Sequence, residues 1–387
     1  MRKLGGRKGL PLSVEINDSQ RREESPWILE LMKILLMATA IAAGIIIVTG
    51  LLAIWLMPRA SRAAYAIGRS LSQSRSYHEA IPFYTAAITL NLDNASAYRA
   101  RGIAQSHDGN YDEAIDDFDQ ALLLRPDDAV ALVERGRSHG NKQEYDLAIR
   151  DETQALLLNP NLTDAYLDRA HGYFETKDYD RAIRDLDAGI RLSPRLAGAF
   201  EARGAAYRAK KEYNLALQDF DTAICLNPQA AGFFVNRGSL YSERGEYKQA
   251  IEDSDQAITL DPQDSTAWNN RCWNRAILGE LDTALEDCNE SLAISPKDSY
   301  TLDSRGFVYL KLKYNNKAVA DYRAALAIDP KAATSLYGLG LAEQIRGDEA
   351  AANGHFTEAK KLQPDIAEQF VKWGMPTSGS ARSLPTP

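Results

Sequence analysis

Cysteine is scarce in this chain. Cys225, Cys272 and Cys288 are the only three in 387 residues, no CxxC occurs, and the nearest pair is sixteen apart. That excludes a disulfide-rich scaffold and a cysteine zinc site. Histidine is as thin: His78, His107, His139, His171 and His355 lie far apart, without metal-ligand spacing. Positive charge is also short. The formal net charge is −8; residues 1–33 carry seven Lys/Arg and five Asp/Glu, residues 34–57 carry no charge at all, and the remainder stands at −10. A chain of that sign is a poor nucleic-acid binder, because neutralising phosphates needs a clustered basic face. No phosphate loop is present either: the GGRKG at Gly5–Gly9 is followed by no helix signal. Neither metal nor cofactor is expected.

The charge-free run is ILLMATAIAAGIIIVTGLLAIWLM, Ile34 to Met57. As a helix its 24 residues reach roughly 36 Å, enough for a hydrocarbon core of about 30 Å. Trp27 and Trp55 bracket it, and Pro58 and Arg59 follow. It is apolar all round, unlike a half-buried soluble helix. A cleaved signal peptide is the alternative, but the preceding tail is long and the run exceeds the usual length of about 7–15 residues. The reading is a single-pass membrane helix. Basic residues within about fifteen positions of its ends are balanced, Arg21, Arg22 and Lys33 against Arg59, Arg62 and Arg69. The whole tail then leans the repeats only slightly toward the extracytoplasmic side.

From Ser61 onward the chain repeats with a period of 34 residues and no insertion. The units are 61–94, 95–128, 129–162, 163–196, 197–230, 231–264, 265–298, 299–332 and 333–366. Position 20 is Ala in all nine; position 8 is Gly in seven, with Ala170 and Cys272 as exceptions; position 32 is Pro in eight. Small or apolar residues at positions 20, 21, 24 and 27 have helical spacing. Large residues at position 4 with Gly at position 8 mark a first helix, and the residue before the Pro ends the second. Glycine inside a helix costs about 0.5–1 kcal/mol against Ala, so a close helix contact must favour it.

The pattern resembles the tetratricopeptide repeat family over about four-fifths of the chain. The family's aromatic at position 24 is met by Tyr84, Phe118, Phe220, Tyr322 and Phe356, whereas Glu152, Leu186, Ser254 and Cys288 depart from it. The resemblance implies an all-α fold, a right-handed superhelical solenoid of nine helix-turn-helix repeats, with the first helices lining a concave groove. Residues 367–375 are expected as a capping helix, residues 1–33 as a flexible mixed-charge tail and 376–387 as a disordered tail. Residues 1–60 and 367–387 are too short for a catalytic domain, so no enzyme is expected. The function implied is a membrane-anchored interaction scaffold for partner proteins or peptides; a structural spacer or self-assembling envelope component is the alternative.

Where the family usually has Leu at position 7, this chain has Arg101, Arg135, Arg169, Arg203, Arg237, Arg271 and Arg305. Position 23 of the same seven units is Asp117, Asp151, Asp185, Asp219, Asp253, Asp287 and Asp321, and the two units lacking the Arg also lack the Asp. No orphan remains at either end, which points to a bridge within each unit, structural rather than anion-binding. Positions 2, 5, 6, 9 and 12 should face the groove. In the second to fifth units they form a mixed charged wall that includes Arg99, Glu134, Arg137, Asp164, Asp168, His171, Glu201 and Arg208. In the later units Asn236, Asn269, Asn270, Trp273, Tyr300, Asp303 and Tyr337 form the expected peptide site, while Phe307 and Leu341 are more simply core. Some family members grip a terminal carboxylate with Lys at position 5; no unit here has one. Cys272 and Cys288 occupy positions 8 and 24 of one unit and should touch, as core thiols or, in an oxidising compartment, a disulfide. Cys225 is expected to be buried.

Overall fold

The structure, a computed structural model, describes residues 26–376; most of both expected tails lies outside them. Among the described residues there are 19 helices and no strand. The described residues fall into two compact units that divide between residues 108 and 109.

In the first unit α1 (Pro26–Gln73) is followed by α2 (Tyr77–Leu90) and α3 (Ala95–His107). Residues 26–33, expected in the tail, are already helical. From Leu29 to Gln73 this helix is long and apolar enough to cross a membrane, with none of its most apolar window buried. Pro58 does not break it. Beside that proline, Arg59 Nη1 donates to the carbonyl of Trp55 at 2.9 Å, and its guanidinium lies 3.8 Å from the centroid of the Trp55 ring. The last turns of α1 then pack on α2, where buried Ser61 donates its hydroxyl to the Ala87 carbonyl at 2.7 Å. The apolar segment and the first helical hairpin therefore share one continuous helix.

The second unit contains α4 (Tyr111–Leu124), α5 (Ala129–Asn141), α6 (Tyr145–Leu158), α7 (Thr163–Glu175), α8 (Tyr179–Leu192), α9 (Ala197–Ala209), α10 (Tyr213–Leu226), α11 (Ala231–Glu243) and α12 (Tyr247–Leu260). It continues through α13 (Ser265–Leu278), α14 (Leu281–Ile294), α15 (Ser299–Lys311), α16 (Asn315–Ile328), α17 (Ala333–Ile345), α18 (Glu349–Leu362) and the short α19 (Ile366–Lys372). Aspartates start several helices; Asp128 and Asp348 each accept the backbone N–H three residues on, satisfying a donor the helix cannot. Each first helix ends one or two residues before position 15, where the backbone turns left-handed. Four units have glycine there (Gly109, Gly245, Gly279, Gly347), but Arg75, Gln143, Lys177, Lys211 and Lys313 hold the same conformation at φ 63° to 66°. Lys211→Gly should therefore raise the unfolding free energy by up to about 1 kcal/mol, measured by urea denaturation; no gain would mean the lysine side chain supplies a compensating contact.

Within a hairpin the position-8 glycine makes room for the position-24 ring. A Cβ on Gly204 would stand 2.8 Å from Phe220, which is fully buried. One hairpin replaces that pair with a covalent link: Cys272 on α13 and Cys288 on α14, both fully buried, form a disulfide. Cys225, contrary to expectation, is exposed, because position 29 lies on the outer surface of its hairpin. Reducing or deleting the Cys272–Cys288 bridge should cost about 2–3 kcal/mol, the range for a loop of about 15 residues. Thermal unfolding with and without reductant measures it; a Tm that does not move would show the link contributes nothing.

Successive first helices touch each other (α5 with α7, α9 with α11, α11 with α13, α13 with α15, α15 with α17), while second helices of successive hairpins make no comparable contact. The first-helix layer is thus the tighter, inner side. One inner pair, α7 and α9, stands apart. The largest continuous core lies at the carboxy end, running from Cys272 to Met375.

Candidate functional site

The position-7 arginines are placed by the helix pairing. Six lie in the second unit with their aspartates, and each forms a two-pronged bond. Arg135 reaches Asp151, Arg169 reaches Asp185, Arg203 reaches Asp219, Arg237 reaches Asp253, Arg271 reaches Asp287 and Arg305 reaches Asp321. Their Nε and Nη2 donate to the two carboxylate oxygens at 2.6–3.0 Å. Hydrogen bonding to the aspartate holds Arg237 firmly charged. Arg101 lies in the compact unit that ends at Asp108, where it donates to the hydroxyl of Thr85, position 25 of the preceding repeat, at 3.0 Å; Asp117 lies in the other compact unit.

The third arginine nitrogen does something not expected from the pairing of positions 7 and 23. It reaches position 25 of the preceding hairpin: Arg135 donates to Asp119, Arg169 to Thr153, Arg203 to Asp187, Arg237 to Asp221, Arg271 to Asp255 and Arg305 to Asn289. Each guanidinium therefore fixes the register of its own hairpin and ties it to the one before. The signal was present in the sequence: position 25 is an acceptor, Thr, Asp or Asn, in each of the seven units that precede an arginine. The run ends where Arg323 takes position 25 and bonds buried Glu343 at 2.9 Å.

The expected peptide site fares differently, because the chain's own carboxy end covers part of it, and a cavity of about 530 Å³ remains beside Trp273 and Trp373. Tyr337 is fully buried, 4.9 Å from the Phe356 ring and 4.7 Å from that of Phe370. Trp273 is half-buried with Trp373 edge-on at 4.8 Å and Phe307 at 5.1 Å. Lys311 locks the cover by donating to the carbonyls of Trp373 at 3.1 Å and Ala276 at 2.7 Å. Tyr337 and Trp273 are thus packing residues, since α19 and the residues after it bury the inner face of α13, α15 and α17. Asp303 accepts from the Ser335 hydroxyl at 2.5 Å, and burial pushes its carboxyl up to about 6. Asn236 donates to Glu201 at 2.7 Å and Asn270 to the Ser239 hydroxyl at 3.0 Å. The Oδ1 of Asn269 is buried without a partner among the described residues. Of the seven, Tyr300 alone is broadly open, at 74% exposure.

Two further cavities lie earlier in the chain. Between α7 and α9, where the two inner helices stand apart, lies a cavity of about 290 Å³. Leu167, Ala170, Phe174 and Leu186 form one wall and Gly198, Ala202 and Ala205 the other; His171, Glu175 and Glu201 edge it. The separation follows from the residues. Small side chains on α9 leave unfilled the space that a large residue at positions 2, 6 or 9 would occupy. Burial raises the pKa of the Glu201 carboxyl.

A second cavity of about 280 Å³ adjoins it, sharing His171 and lying between α5, α6 and α7. Its edge is the charged wall read from the sequence, already paired within itself. Arg137 donates to Asp168 at 2.7 Å and to Glu134 at 3.1 Å, and lies 3.2 Å from Asp164. Its interior holds Glu152, the position-24 residue that departs from the aromatic pattern. Glu152 has no exposed surface, and neither carboxylate oxygen has a partner among the described residues. Burial first, and then the charge of Asp168, push its pKa up to about 10. A Cβ on Gly136 would fall 2.5 Å from Glu152 Oε1, so the acid occupies the space a ring takes in other hairpins.

Two family models, both described as tetratricopeptide repeat, match this helical array: one at residues 65–129, 108–166 and 167–231, the other at 231–264 and 301–331. The chain belongs to the tetratricopeptide repeat family. Solved structures of similar fold include the Cut9–Hcn1 hetero-tetramer of APC/C, 13% identical over 81% of this chain and 75% of that one, with a TM-score of 0.56. A tetratricopeptide repeat protein from Parabacteroides merdae is 19% identical over 64% of this chain and 98% of that one, with a TM-score of 0.54. These likenesses show the fold alone. No curated protein matches the chain. Tetratricopeptide repeat proteins generally mediate protein–protein interactions, and the two cavities beside His171 lie on the inner face of this one.

Proposed function

We propose that this tetratricopeptide repeat protein is a membrane-anchored, non-enzymatic scaffold that holds an extended segment of a partner protein across the inner faces of α5, α7 and α9. The carrying observation is the apolar cavity of about 290 Å³ where α7 and α9 part. Concave, mostly apolar sites with a few polar groups at the edge are where peptide side chains gain most from leaving water. Partner chemistry is an apolar side chain seated against Leu167 and Phe174, with His171, Glu175 and Glu201 in reach of its backbone. The apolar run of α1, wholly exposed to its surroundings, supports a single-pass anchor. The buried Cys272–Cys288 disulfide supports an oxidising, extracytoplasmic setting for the repeats, in line with the lean of the basic residues.

A photo-reactive residue tests this in native membranes. Gly198 edges the cavity and has open space around it, whereas Leu157 is 82% exposed on the outer layer of helices. A photo-crosslinker at position 198 should capture a discrete partner that one at position 157 does not. Identical products from both positions, or none from 198, would remove the groove assignment.

A further inference from the structure

Glu152 is an anomaly that the groove reading does not absorb. Its side chain lies in a helix-pair core where other hairpins place an aromatic ring, and it is completely buried without a hydrogen-bond partner among the described residues. Leaving a buried carboxyl unsatisfied is among the costlier defects a core can carry, and native structures seldom keep one without a reason. Glycines keep the space around it open. Gly136 gives the acid its room, and an added Cβ on Gly140, which lines the same cavity, would meet nothing within 4 Å. The cavity lies on the inner face, next to the apolar one and sharing His171 with it.

The surrounding charge selects the ligand. From α5, Arg137 and Glu134 face Glu152; from α6, Asp151; from α7, Asp168. Asp151 is already held by Arg135, and Arg137 is shared among Glu134, Asp164 and Asp168. Carboxylates outnumber guanidinium groups here, so an anion would be repelled. A neutral acceptor would use the acid's proton but leave the other oxygen without a donor. A cation with several N–H donors can supply both vacant oxygens, and when the acid ionises the cation's charge takes the place of the lost proton beside the crowded carboxylates.

We propose that this cavity is a site for a cationic side chain, the ammonium of a lysine or the guanidinium of an arginine, and that Glu152 is its ligand. As the cation enters, Glu152 gives its proton to solvent and binds as the carboxylate. The inference rests on the groove reading above and adds to it: the partner segment carries a basic residue close to the apolar residue that fills the neighbouring cavity.

A random-peptide display library, selected on the detergent-solubilised full chain, tests it. The wild-type protein should enrich peptides with Lys or Arg at a fixed spacing from an apolar residue. Glu152→Gln, which keeps the shape and removes the charge, should retain the apolar preference and lose the basic one. For a selected peptide, exchanging its lysine for norleucine should weaken binding to the wild type about tenfold or more and leave binding to Glu152→Gln unchanged. Gly140→Leu fills the cavity while leaving Glu152 itself unaltered and should give the same loss, which guards against misfolding of a single variant. Enrichment of apolar residues without a basic one, or a basic preference that survives both variants, would overturn the inference and leave the groove reading standing. No enrichment at all would remove the groove reading and this site with it.

Discussion

Replacing Arg237 by Ala should lower the unfolding free energy by about 3–5 kcal/mol, the range for breaking a buried ion pair from one side. Asp253 is only 4% exposed, and its two oxygens take Nε and Nη2 of Arg237 at 2.9 and 2.7 Å. Once the guanidinium is gone, the carboxylate is left in a site too dry to hydrate it. The third bond, to Asp221 at 2.6 Å, is of a different kind, since that side chain is 56% exposed. Asp221→Ala should therefore cost no more than about 1 kcal/mol. Arg237→Lys should fall nearer the Ala variant than the wild type, because an ammonium cannot make the planar two-pronged contact. Replacing Arg237 and Asp253 together by Met and Leu should recover most of the loss, since the cost lies in the stranded charge rather than in the absent bond. Repeat arrays can unfold in segments, so urea denaturation should be paired with amide exchange in α11 and α12. A loss below about 1 kcal/mol for Arg237→Ala would show that Asp253 is hydrated and the pair dispensable.

The second large effect is a gain. Glu152→Phe should stabilise the protein by about 3 kcal/mol at pH 7 and more at pH 8. With its pKa raised to about 10, Glu152 keeps its proton in the folded protein over a range in which the unfolded chain, titrating near 4.5, has lost it. The folded state then binds more protons than the unfolded one, so stability falls as pH rises from about 4.5 toward 10. At neutral pH the penalty is about 1.4 kcal/mol for each pH unit above 4.5. A phenylalanine has no such slope, and the pairing of Phe220 with Gly204 shows how its ring would sit against Gly136. Glu152→Gln should also flatten the slope while gaining less, because its amide remains unsatisfied. Stability measured from pH 5 to pH 9 decides the matter; a wild-type slope unchanged in Glu152→Phe would mean that the acid is already ionised and solvated. A residue that destabilises the apo protein in this way is what a binding site built into a core entails.

How much was legible beforehand depended on sequence distance. Gly204 with Phe220, Cys272 with Cys288 and Arg237 with Asp253 are all sixteen residues apart, and a strict period makes such offsets conspicuous. The tie from Arg237 to Asp221 has the same separation in the other direction; it was missed because position 25 varies among Asp, Thr and Asn, which share acceptor capacity but not a letter. Glu152 stood out as a departure at position 24, but nothing in the string showed that both of its oxygens lack partners.

The amino-acid sequence by itself determined the helical hairpins, their small-residue contacts, the arginine–aspartate pairing and the long apolar helix at the amino end. Each is written in short-range periodicity, and neighbours in a repeat array sit at constant offsets. Only the tertiary structure decided which part of the inner face is open. Trp373 meets Trp273 across a hundred residues, an offset that belongs to no repeat. The separation of α7 from α9 depends on the combined volumes of side chains from two helices rather than on any one position. Packing across such distances is settled by which surfaces fit once all the hairpins are in place, and for that reason Trp273 and Tyr337 pack against the carboxy end while the cavities beside His171 stay open.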